Sequence, residues 1–402
     1  MIDAERREAV LERGRPAVTW KGEPGLGGWY TEEEIEAAVA AIRRAMDWNT
    51  GFGFLVEEIV RFEEEFARYV GTGFAVSVAT ASLGLDMAMR CLDLEPGDEV
   101  IVPACNFKAS TLAILGAGGR PVFCEVDPRT FCADPADVER RITPRTRAIV
   151  PTHMNGLSAD MDALLDVAER HPHAKHGPLK VIGDAARACG GGYKGTKIGK
   201  RGWMTVFSLH TMKLMTTLGE GGMVTTDDPD AASRLRNLRQ WGGGAEWGTS
   251  TKMTMVQAAV GSVQLRRLDA MIARRVQRAR ERTPLLDGVP ELTLPFEPPE
   301  RDHTFYLYTL LVPPDWAGER RDHLVKLLDE EFGVGCAIAN PPVYHGHDYI
   351  RAQTAGQSLP RSEELGARIL CPSLHPLMTK DDNEYVAAAI IEGVERIGKG
   401  VP

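Results

Sequence analysis

The chain has 402 residues, of which 43% are hydrophobic and 26% are charged, and its formal net charge is −9. This balance is typical of a globular enzyme, and the acidic excess argues against nucleic acid or an anionic membrane as a partner. No apolar run reaches the roughly 18 residues that a membrane span requires, and the charged N-terminus has no apolar signal core. We therefore expect a cytoplasmic protein, and the length predicts two subdomains.

In chain order, residues 1–30 are polar and interrupted by prolines and glycines, which predicts an N-terminal arm. Thr31 and Glu34 form a capping-box pattern that predicts a helix to about Met46, and helical spacing resumes from Val56 to Tyr69. Short β-prone runs then alternate with helical segments, which predicts right-handed crossovers and a mostly parallel sheet. The strand candidates begin at Phe74, Asp98, Pro121, Arg147, Leu179, Met204, Met223 and Thr304, the last ending at Val312.

The first of these strands is followed by Thr80-Ala81-Ser82 at the start of a predicted helix. Small and hydroxyl residues at this point leave backbone N–H groups available for a phosphate, and the helix dipole favours the anion. The alternative is a plain helix N-cap with no ligand.

A lysine follows the strand that ends at Ser208. Lys213 completes a Ser-x-His-x-x-Lys pattern with His210, and the glycine-rich turn 219–222 comes next. Desolvation at such a turn lowers a lysine's pKa and exposes the amine that attacks a carbonyl. The alternative is a solvated surface lysine.

A buried strand candidate, 179–184, ends in Asp184. Ligands collect at the carboxyl ends of strands in open α/β sheets, so Asp184 and Lys213 are expected in one crevice. Pyridoxal phosphate needs such a pair: a lysine that carries it as a Schiff base, and a carboxylate that keeps its pyridine nitrogen protonated. A helix N-cap is the alternative role for Asp184. No histidine or cysteine spacing suggests a metal site.

Together, Asp184-Ala185-Ala186, the Ser208–Lys213 pattern and Gly219-Glu220-Gly221-Gly222 resemble the signatures of the DegT/DnrJ/EryC1/StrS aminotransferases. The resemblance extends from about residue 28 to residue 397. It implies pyridoxal 5′-phosphate, cycling through its pyridoxamine form, and the fold type I architecture. That architecture is a large α/β/α domain with a mostly parallel sheet and a smaller C-terminal α/β domain, in a homodimer with shared active sites. We accordingly assign residues 1–30 to the arm, 31–270 to the cofactor-binding domain and 271–402 to the small domain.

The resemblance also implies residue roles, with Lys213 and Asp184 as the catalytic pair. The implied cofactor-binding residues are Thr80, Ala81, Ser82, Phe107, Asp184, Arg187, Ser208, His210, Lys213 and Ser250. Phe107 would stack on the pyridine ring, and Ser250, where the family normally has asparagine, would reach toward the partner's phosphate. The implied substrate contacts are Trp48, Thr50, His153, Asn155, Lys252 and His345. Simple packing is the alternative for Trp48, and a capped loop is the alternative for His153 and Asn155. The chain departs from the family further at Arg187, where glutamine is usual, and at Gly183, where an acidic residue is common.

Local similarity in segments 152–156, 241–244, 253–259 and 264–269 resembles the L-glutamine:scyllo-inosose aminotransferases of aminoglycoside biosynthesis. We therefore predict transfer of an amino group from an amino acid, L-glutamine by this resemblance, to a keto-cyclitol such as scyllo-inosose or 2-deoxy-scyllo-inosose. The first alternative is a keto-sugar acceptor carried on a nucleoside diphosphate. A pyridoxamine-phosphate-dependent sugar dehydratase would have histidine in place of Lys213. A non-catalytic protein on the same fold is disfavoured by the intact Lys213 and Asp184 pair.

Overall fold

The computed structural model describes residues 2–15, 29–47, 49 and 53–400. The strands are β1 (Phe74–Val78), β2 (Glu99–Pro103), β3 (Arg120–Cys124), β4 (Thr146–Ile149), β5 (Lys180–Asp184), β6 (Gly192–Tyr193), β7 (Thr196–Lys197), β8 (Met204–Ser208), β9 (Gly222–Thr226), β10 (Leu310–Leu311), β11 (Cys336–Ala337) and β12 (Ile369–Pro372). The helices are α1 (Ala4–Glu12), α2 (Glu32–Ala45), α3 (Glu57–Val70), α4 (Ala81–Arg90), α5 (Lys108–Gly116), α6 (Pro135–Arg141), α7 (Met161–Arg170), α8 (Pro229–Arg239), α9 (Met255–Leu286), α10 (Glu319–Glu330), α11 (Asp348–Gln353), α12 (Pro360–Arg368) and α13 (Lys380–Gly398). Across the described ranges, none of the helices is long and apolar enough to cross a lipid bilayer.

The largest sheet has seven strands in the order β1-β9-β8-β5-β4-β2-β3. Only β9 runs antiparallel to its neighbours, β1 and β8, whereas the other pairs are parallel. The predicted mostly parallel sheet is therefore confirmed. Because the parallel strands point the same way, the residues that end β1, β5 and β8 lie along one edge of the sheet.

Helices cover both faces of this sheet, and the alternation of side chains along each strand explains why. In β8, Val206 packs in a cluster with α4, α5 and α8, while Phe207 packs in a cluster with α3, α7 and α9. Strands that are buried on both faces read as continuous apolar runs, as these do. The result is the predicted α/β/α layering.

A second core lies in the C-terminal part of the chain, around α10, α13 and the sheet formed by β10, β12 and β11. Within the predicted arm, Val10 of α1 and Ile2, which precedes the helix, contribute to this core. Helix α9 runs unbroken through the predicted boundary at residue 270 and adds side chains to both cores. The domain limits given above stay a prediction.

The predicted strand from Thr304 to Val312 is wrong except at Leu310–Leu311. Its first half instead bonds to the loop after β4, since the N–H of Thr304 donates to the carbonyl of Gly156 (2.9 Å) and that of Leu307 to Asn155 (3.1 Å). Phe305 has a left-handed backbone, with φ of +49°. This loop-to-loop pairing places the next residue, Tyr306, beside the active site.

Candidate active site

A cleft opens at the edge of the sheet where β1, β5 and β8 end. All the predicted cofactor-binding residues except Ser250 line it. Among the residues that the structure describes, the lining consists of Thr80, Ala81, Ser82, Leu85, Phe107, Ala109, Asp184, Ala186, Arg187, Ser208, His210, Met212, Lys213 and Glu220. The strand-end rule therefore correctly placed Asp184 and Lys213 in one crevice.

Lys213 lies on a closed turn between β8 and β9. Its backbone N–H donates to the carbonyl of His210 (2.8 Å), and the N–H of Thr217 donates back to Leu209 (3.0 Å). The Lys213 side chain is half-buried, and its Nζ donates to Oη of Tyr306 (3.2 Å). These bonds fix both the backbone and the amine, so the nucleophile is oriented before a substrate arrives.

Asp184 ends β5 with a side chain that is only 3% exposed. One carboxylate oxygen accepts from Oγ of Ser110 (2.6 Å), and the other accepts from the N–H of Ala186 (3.1 Å). A buried carboxylate needs hydrogen-bond donors to replace its lost hydration. A side chain on α5 and the backbone just after β5 therefore hold this carboxylate in a defined orientation.

The N-terminus of α4 forms another wall of the cleft. Thr80 caps the helix through its Oγ, which accepts from the N–H of Leu83 (3.2 Å). The N–H groups of Ala81 and Ser82 have no partner within the helix because they belong to its first turn. Gly222 allows the start of β9 to lie close to the start of α4, because a Cβ at this position would lie 2.7 Å from the Ala81 nitrogen. The arrangement suits a phosphate group.

These features together fit pyridoxal phosphate. The cleft offers an amine at Lys213, a buried carboxylate at Asp184 and the first-turn N–H groups of Ala81 and Ser82. Phe107 is 50% exposed in the cleft, which is unusual for a phenylalanine and suits stacking on a planar ring. With the cofactor bound, Lys213 would hold its aldehyde, Asp184 its ring nitrogen, the N-terminus of α4 its phosphate and Phe107 its ring face.

Arg187 connects the cleft to the C-terminal part of the chain. Its guanidinium donates to Oδ1 of Asn155 (3.5 Å) and to Oδ1 of Asn340 (3.2 Å). It also lies over the ring of Tyr306, with Cζ 5.6 Å from the ring centroid. Asn155, a predicted substrate contact, is therefore hydrogen-bonded to a residue that lines the cleft but does not line the cleft itself.

Of the remaining predicted substrate contacts, His153 and His345 do not line the cleft. His153 is buried and accepts the N–H of Ala159 at Nδ1 (3.2 Å), so its placement does not support a contact with a polyol. His345 is exposed, with Nε2 4.0 Å from a carboxylate oxygen of Glu363, and it does not line the cleft. Trp48 and Thr50 lie outside the described residues.

Exposed Ser250 and half-buried Lys252 form a separate cluster. Nζ of Lys252 donates to Oγ of Ser250 (2.9 Å) and lies 4.0 Å from the ring centroid of Trp241. Burial and the charge of Arg239 lower the pKa of Lys252. Neither residue lines the cleft of its own chain, which is compatible with the role across a dimer that the family resemblance implies.

Sequence reasoning missed three residues of this site: Ser110, Tyr306 and Asn340. Ser110 holds Asp184, Tyr306 holds Lys213, and Asn340 holds Arg187. None belongs to a recognisable motif, and two of them lie about a hundred residues or more from their partners along the chain. The one available signal was the position of Ser110 shortly after Phe107.

The chain is similar over most of its length to proteins of known name. A transaminase from Streptomyces venezuelae, "dTDP-3-amino-3,4,6-trideoxy-alpha-D-glucose transaminase", is 37% identical over 372 residues, which cover 91% of this chain and 94% of the relative. "GDP-perosamine synthase" from Caulobacter vibrioides is 37% identical over 347 residues, which cover 83% and 89% of the two chains. The predicted closeness to scyllo-inosose aminotransferases is not shown by these relatives.

A solved structure, that of S. venezuelae DesV "in complex with ketimine intermediate", superposes with a TM-score of 0.82 at 36% identity, and the match covers 91% of this chain and 96% of DesV. The fold, the aminotransferase activity and pyridoxal phosphate as the cofactor are thereby confirmed. The model of the DegT/DnrJ/EryC1/StrS aminotransferase family matches residues 30–391. The chain therefore belongs to the DegT/DnrJ/EryC1/StrS aminotransferase family.

Proposed function

We propose that this aminotransferase transfers an amino group from an amino acid to a keto-sugar that is carried on a nucleoside diphosphate. The observation that supports this acceptor is the similarity, over more than four-fifths of the chain, to two relatives whose names contain dTDP-sugar and GDP-sugar products. The two names differ in the nucleotide. The proposal therefore specifies a class of acceptor and not one base or one sugar.

Each residue of the cleft has its own role in amino transfer. When bound, pyridoxal phosphate supplies a reactive carbonyl and an electron-accepting ring. Nζ of Lys213 moves the proton at the carbon that loses or gains the amino group, because it is the basic group that the turn after β8 presents to the cleft. Asp184 holds a proton at the ring nitrogen, and the α4 N-terminus binds the phosphate.

A homodimer with shared sites is part of the proposal. Four large apolar residues at helical spacing, Ile35, Val39, Ile42 and Met46, are exposed along α2 and just past its end. Rows of this kind mark protein contacts more often than solvent-facing surface. Ser250 and Lys252, which do not line their own cleft, would then lie at the partner's site. Sedimentation of the purified protein should give twice the mass of one chain.

The acceptor is tested with matched substrates. The holoenzyme is incubated with L-glutamine or L-glutamate and with a dTDP-linked or GDP-linked keto-sugar, or with scyllo-inosose, and the amine is detected by mass spectrometry. We expect amination of a nucleotide-linked sugar only. Lys213→Ala should abolish it, whereas Lys200→Ala, a surface lysine paired with Asp227, should not. Amination of scyllo-inosose alone would overturn the proposal in favour of the cyclitol.

A further inference from the structure

A second pocket, separate from the active-site cleft, lies between loops of the large sheet and the C-terminal part of the chain. In the described part of the chain it is lined by residues 128–131 after β3, Asn155 and Leu157 after β4, residues 293–296, and His303, Thr309 and Leu311. None of these residues lines the cleft at Lys213. We call this second site the junction pocket.

The junction pocket has an apolar interior and one positive charge. Phe131, Leu157 and Leu311 are buried and contribute hydrocarbon surface. Arg129 is the one charged side chain of the described lining, because burial lowers the pKa of His303 to about 3 and keeps its ring neutral at pH 7. Small-molecule sites combine apolar walls with a few polar groups that orient the ligand. The complementary ligand therefore has an apolar body and one negative charge.

Arg129 is oriented for a carboxylate. Its guanidinium lies over the ring of Phe296 with Cζ 3.4 Å from the ring centroid, a distance at which the planar group packs flat on the ring. A guanidinium stacked in this way keeps the N–H donors in its plane available for two parallel hydrogen bonds. The neighbouring carboxylates have other partners, since Asp127 accepts backbone N–H groups of the turn that follows it (2.9 and 3.0 Å) and Glu297 accepts from Arg280 (3.1 Å).

The loops around the junction pocket have an uncommon backbone conformation. Phe131 and Asn155, which line it, have left-handed φ angles of +59° and +57°. Phe305, which lies between the lining residues His303 and Thr309, has a φ of +49°. This conformation is unfavourable for a phenylalanine, and residues held in it cluster at functional sites. The shape of the pocket is therefore a fixed feature of the fold.

Asn155 connects the junction pocket to the active site. Its Nδ2 donates to Oγ1 of Thr309 (3.1 Å), another lining residue, and its Oδ1 accepts from Arg187 of the cleft (3.5 Å). Its backbone carbonyl accepts the N–H of Leu307 (3.1 Å), which follows the tyrosine that holds Lys213. A ligand that contacts Asn155 and Thr309 therefore stabilises the arrangement in which that tyrosine is bonded to the nucleophile.

We propose that the junction pocket binds a small carboxylic acid with an apolar body, and that the bound acid accelerates amino transfer. The carboxylate binds the guanidinium of Arg129, and the body packs among Phe131, Leu157 and Leu311. A ligand favours the conformation to which it binds, so occupancy favours the assembled active site. The inference does not depend on the acceptor proposed above, because binding is measured without any acceptor.

Binding is tested by calorimetry on the holoenzyme with 3-phenylpropanoate. The controls are 3-phenylpropanamide, which lacks the charge, and propanoate, which lacks the aromatic body. We expect one site with a dissociation constant below about 1 mM, and binding of each control weaker by about tenfold or more. Arg129→Gln removes the charge, and Thr293→Trp fills the pocket from an exposed position of its lining. Each substitution should weaken binding of 3-phenylpropanoate by about tenfold or more.

Arg90→Gln is the matched control, because Arg90 also lies over an aromatic ring, that of Trp247 (4.2 Å), and does not line the pocket. Its affinity for 3-phenylpropanoate should equal that of the wild type. Melting temperatures show whether each variant is folded. The rate of amino transfer from L-glutamine or L-glutamate, whichever reacts, is followed without acceptor as the loss of the cofactor's visible band.

Saturating 3-phenylpropanoate should raise this rate on the order of fivefold in the wild type and in Arg90→Gln, and should leave Thr293→Trp unchanged. Three results would each overturn the inference. They are the absence of saturable binding, an equal affinity in the wild type and both pocket variants, which would place the acid in another site, and saturation without acceleration.

Discussion

The side-chain amine of Lys213 donates a hydrogen bond to Oη of Tyr306 over 3.2 Å. The two residues come from distant parts of the chain, the turn after β8 and the segment before β10, and they meet because that segment pairs with the loop after β4. A tyrosine hydroxyl both accepts and donates, so it can hold the amine in place as Lys213 gains and loses its proton. Tyr306 therefore acts as a positioning residue for the nucleophile.

Replacing Tyr306 with phenylalanine should slow amino transfer by about fivefold. The change removes the hydrogen bond to Lys213, worth about 1 kcal/mol, and leaves the ring that packs against Arg187. Steady-state rates and cofactor affinity are measured together, and affinity should change little. Tyr308→Phe is the matched control, because its hydroxyl is equally buried but bonds to Thr283 (2.9 Å). Unchanged rates in Tyr306→Phe would contradict the positioning role.

Ser110→Ala tests the support of the Asp184 carboxylate. The hydroxyl donates to Asp184 over 2.6 Å in a buried setting, and a hydrogen bond to a charged group contributes about 1.5–3 kcal/mol. We expect a fall in kcat of at least tenfold with the fold intact, because the carboxylate loses one of its two fixed donors. Ser262→Ala is the comparison, since this buried serine on α9 has no hydrogen-bond partner for its hydroxyl among the described residues. Equal effects of the two substitutions would rule out a specific role.

Gly222→Ala should weaken binding of the cofactor more than it weakens the fold. The added Cβ would lie 2.7 Å from the backbone nitrogen of Ala81, so the start of α4 must shift and its N–H groups move with it. We expect the dissociation constant of the cofactor to rise by at least tenfold, and the free energy of unfolding to fall by about 1–3 kcal/mol, the usual cost of overpacking. Gly116→Ala, at the end of α5, adds a Cβ with no atom within 4 Å and should leave the dissociation constant of the cofactor unchanged without destabilising the fold. A cofactor affinity equal to that of the wild type would show that α4 tolerates the shift.

The sequence was sufficient to predict the site residues that end strands or begin helices. It was insufficient to predict the residues that hydrogen-bond to them and hold them in place. Asp184 and Lys213 were predictable because the carboxyl ends of parallel strands meet at one edge of a sheet. Tyr306 was not predictable, because its β-prone segment pairs with a loop and not with a strand. This pairing is a tertiary effect that leaves no local pattern in the sequence. His153 illustrates a second cause. Side chains that are neighbours at the end of a strand point to opposite faces of the sheet, and the sequence alone does not say which face opens into the cleft.

Buried histidines, among them His153 and His303, should make the protein sensitive to mild acid. Burial lowers the pKa of His153 to about 3, helped by the charge of Arg301, and burial likewise lowers that of His303 to about 3. Each ring accepts a backbone N–H at Nδ1, from Ala159 (3.2 Å) and Phe305 (2.9 Å) respectively, and protonation would break these bonds. In the unfolded chain a histidine titrates near 6.5, so between about pH 3 and 6.5 the unfolded state binds more protons than the folded one.

Stability from these residues is therefore fully present above about pH 6.5 and is lost as the pH falls below it. Each histidine should cost about 1 kcal/mol of unfolding free energy between pH 6.5 and 5.5. Denaturant unfolding at these two pH values should show that His303→Gln loses about 1 kcal/mol less than the wild type does over the interval. The exposed His323→Gln serves as the control, and the other titrating groups cancel in the comparison. Equal pH dependence in wild type and His303→Gln would mean that His303 is protonated with little cost in the folded protein.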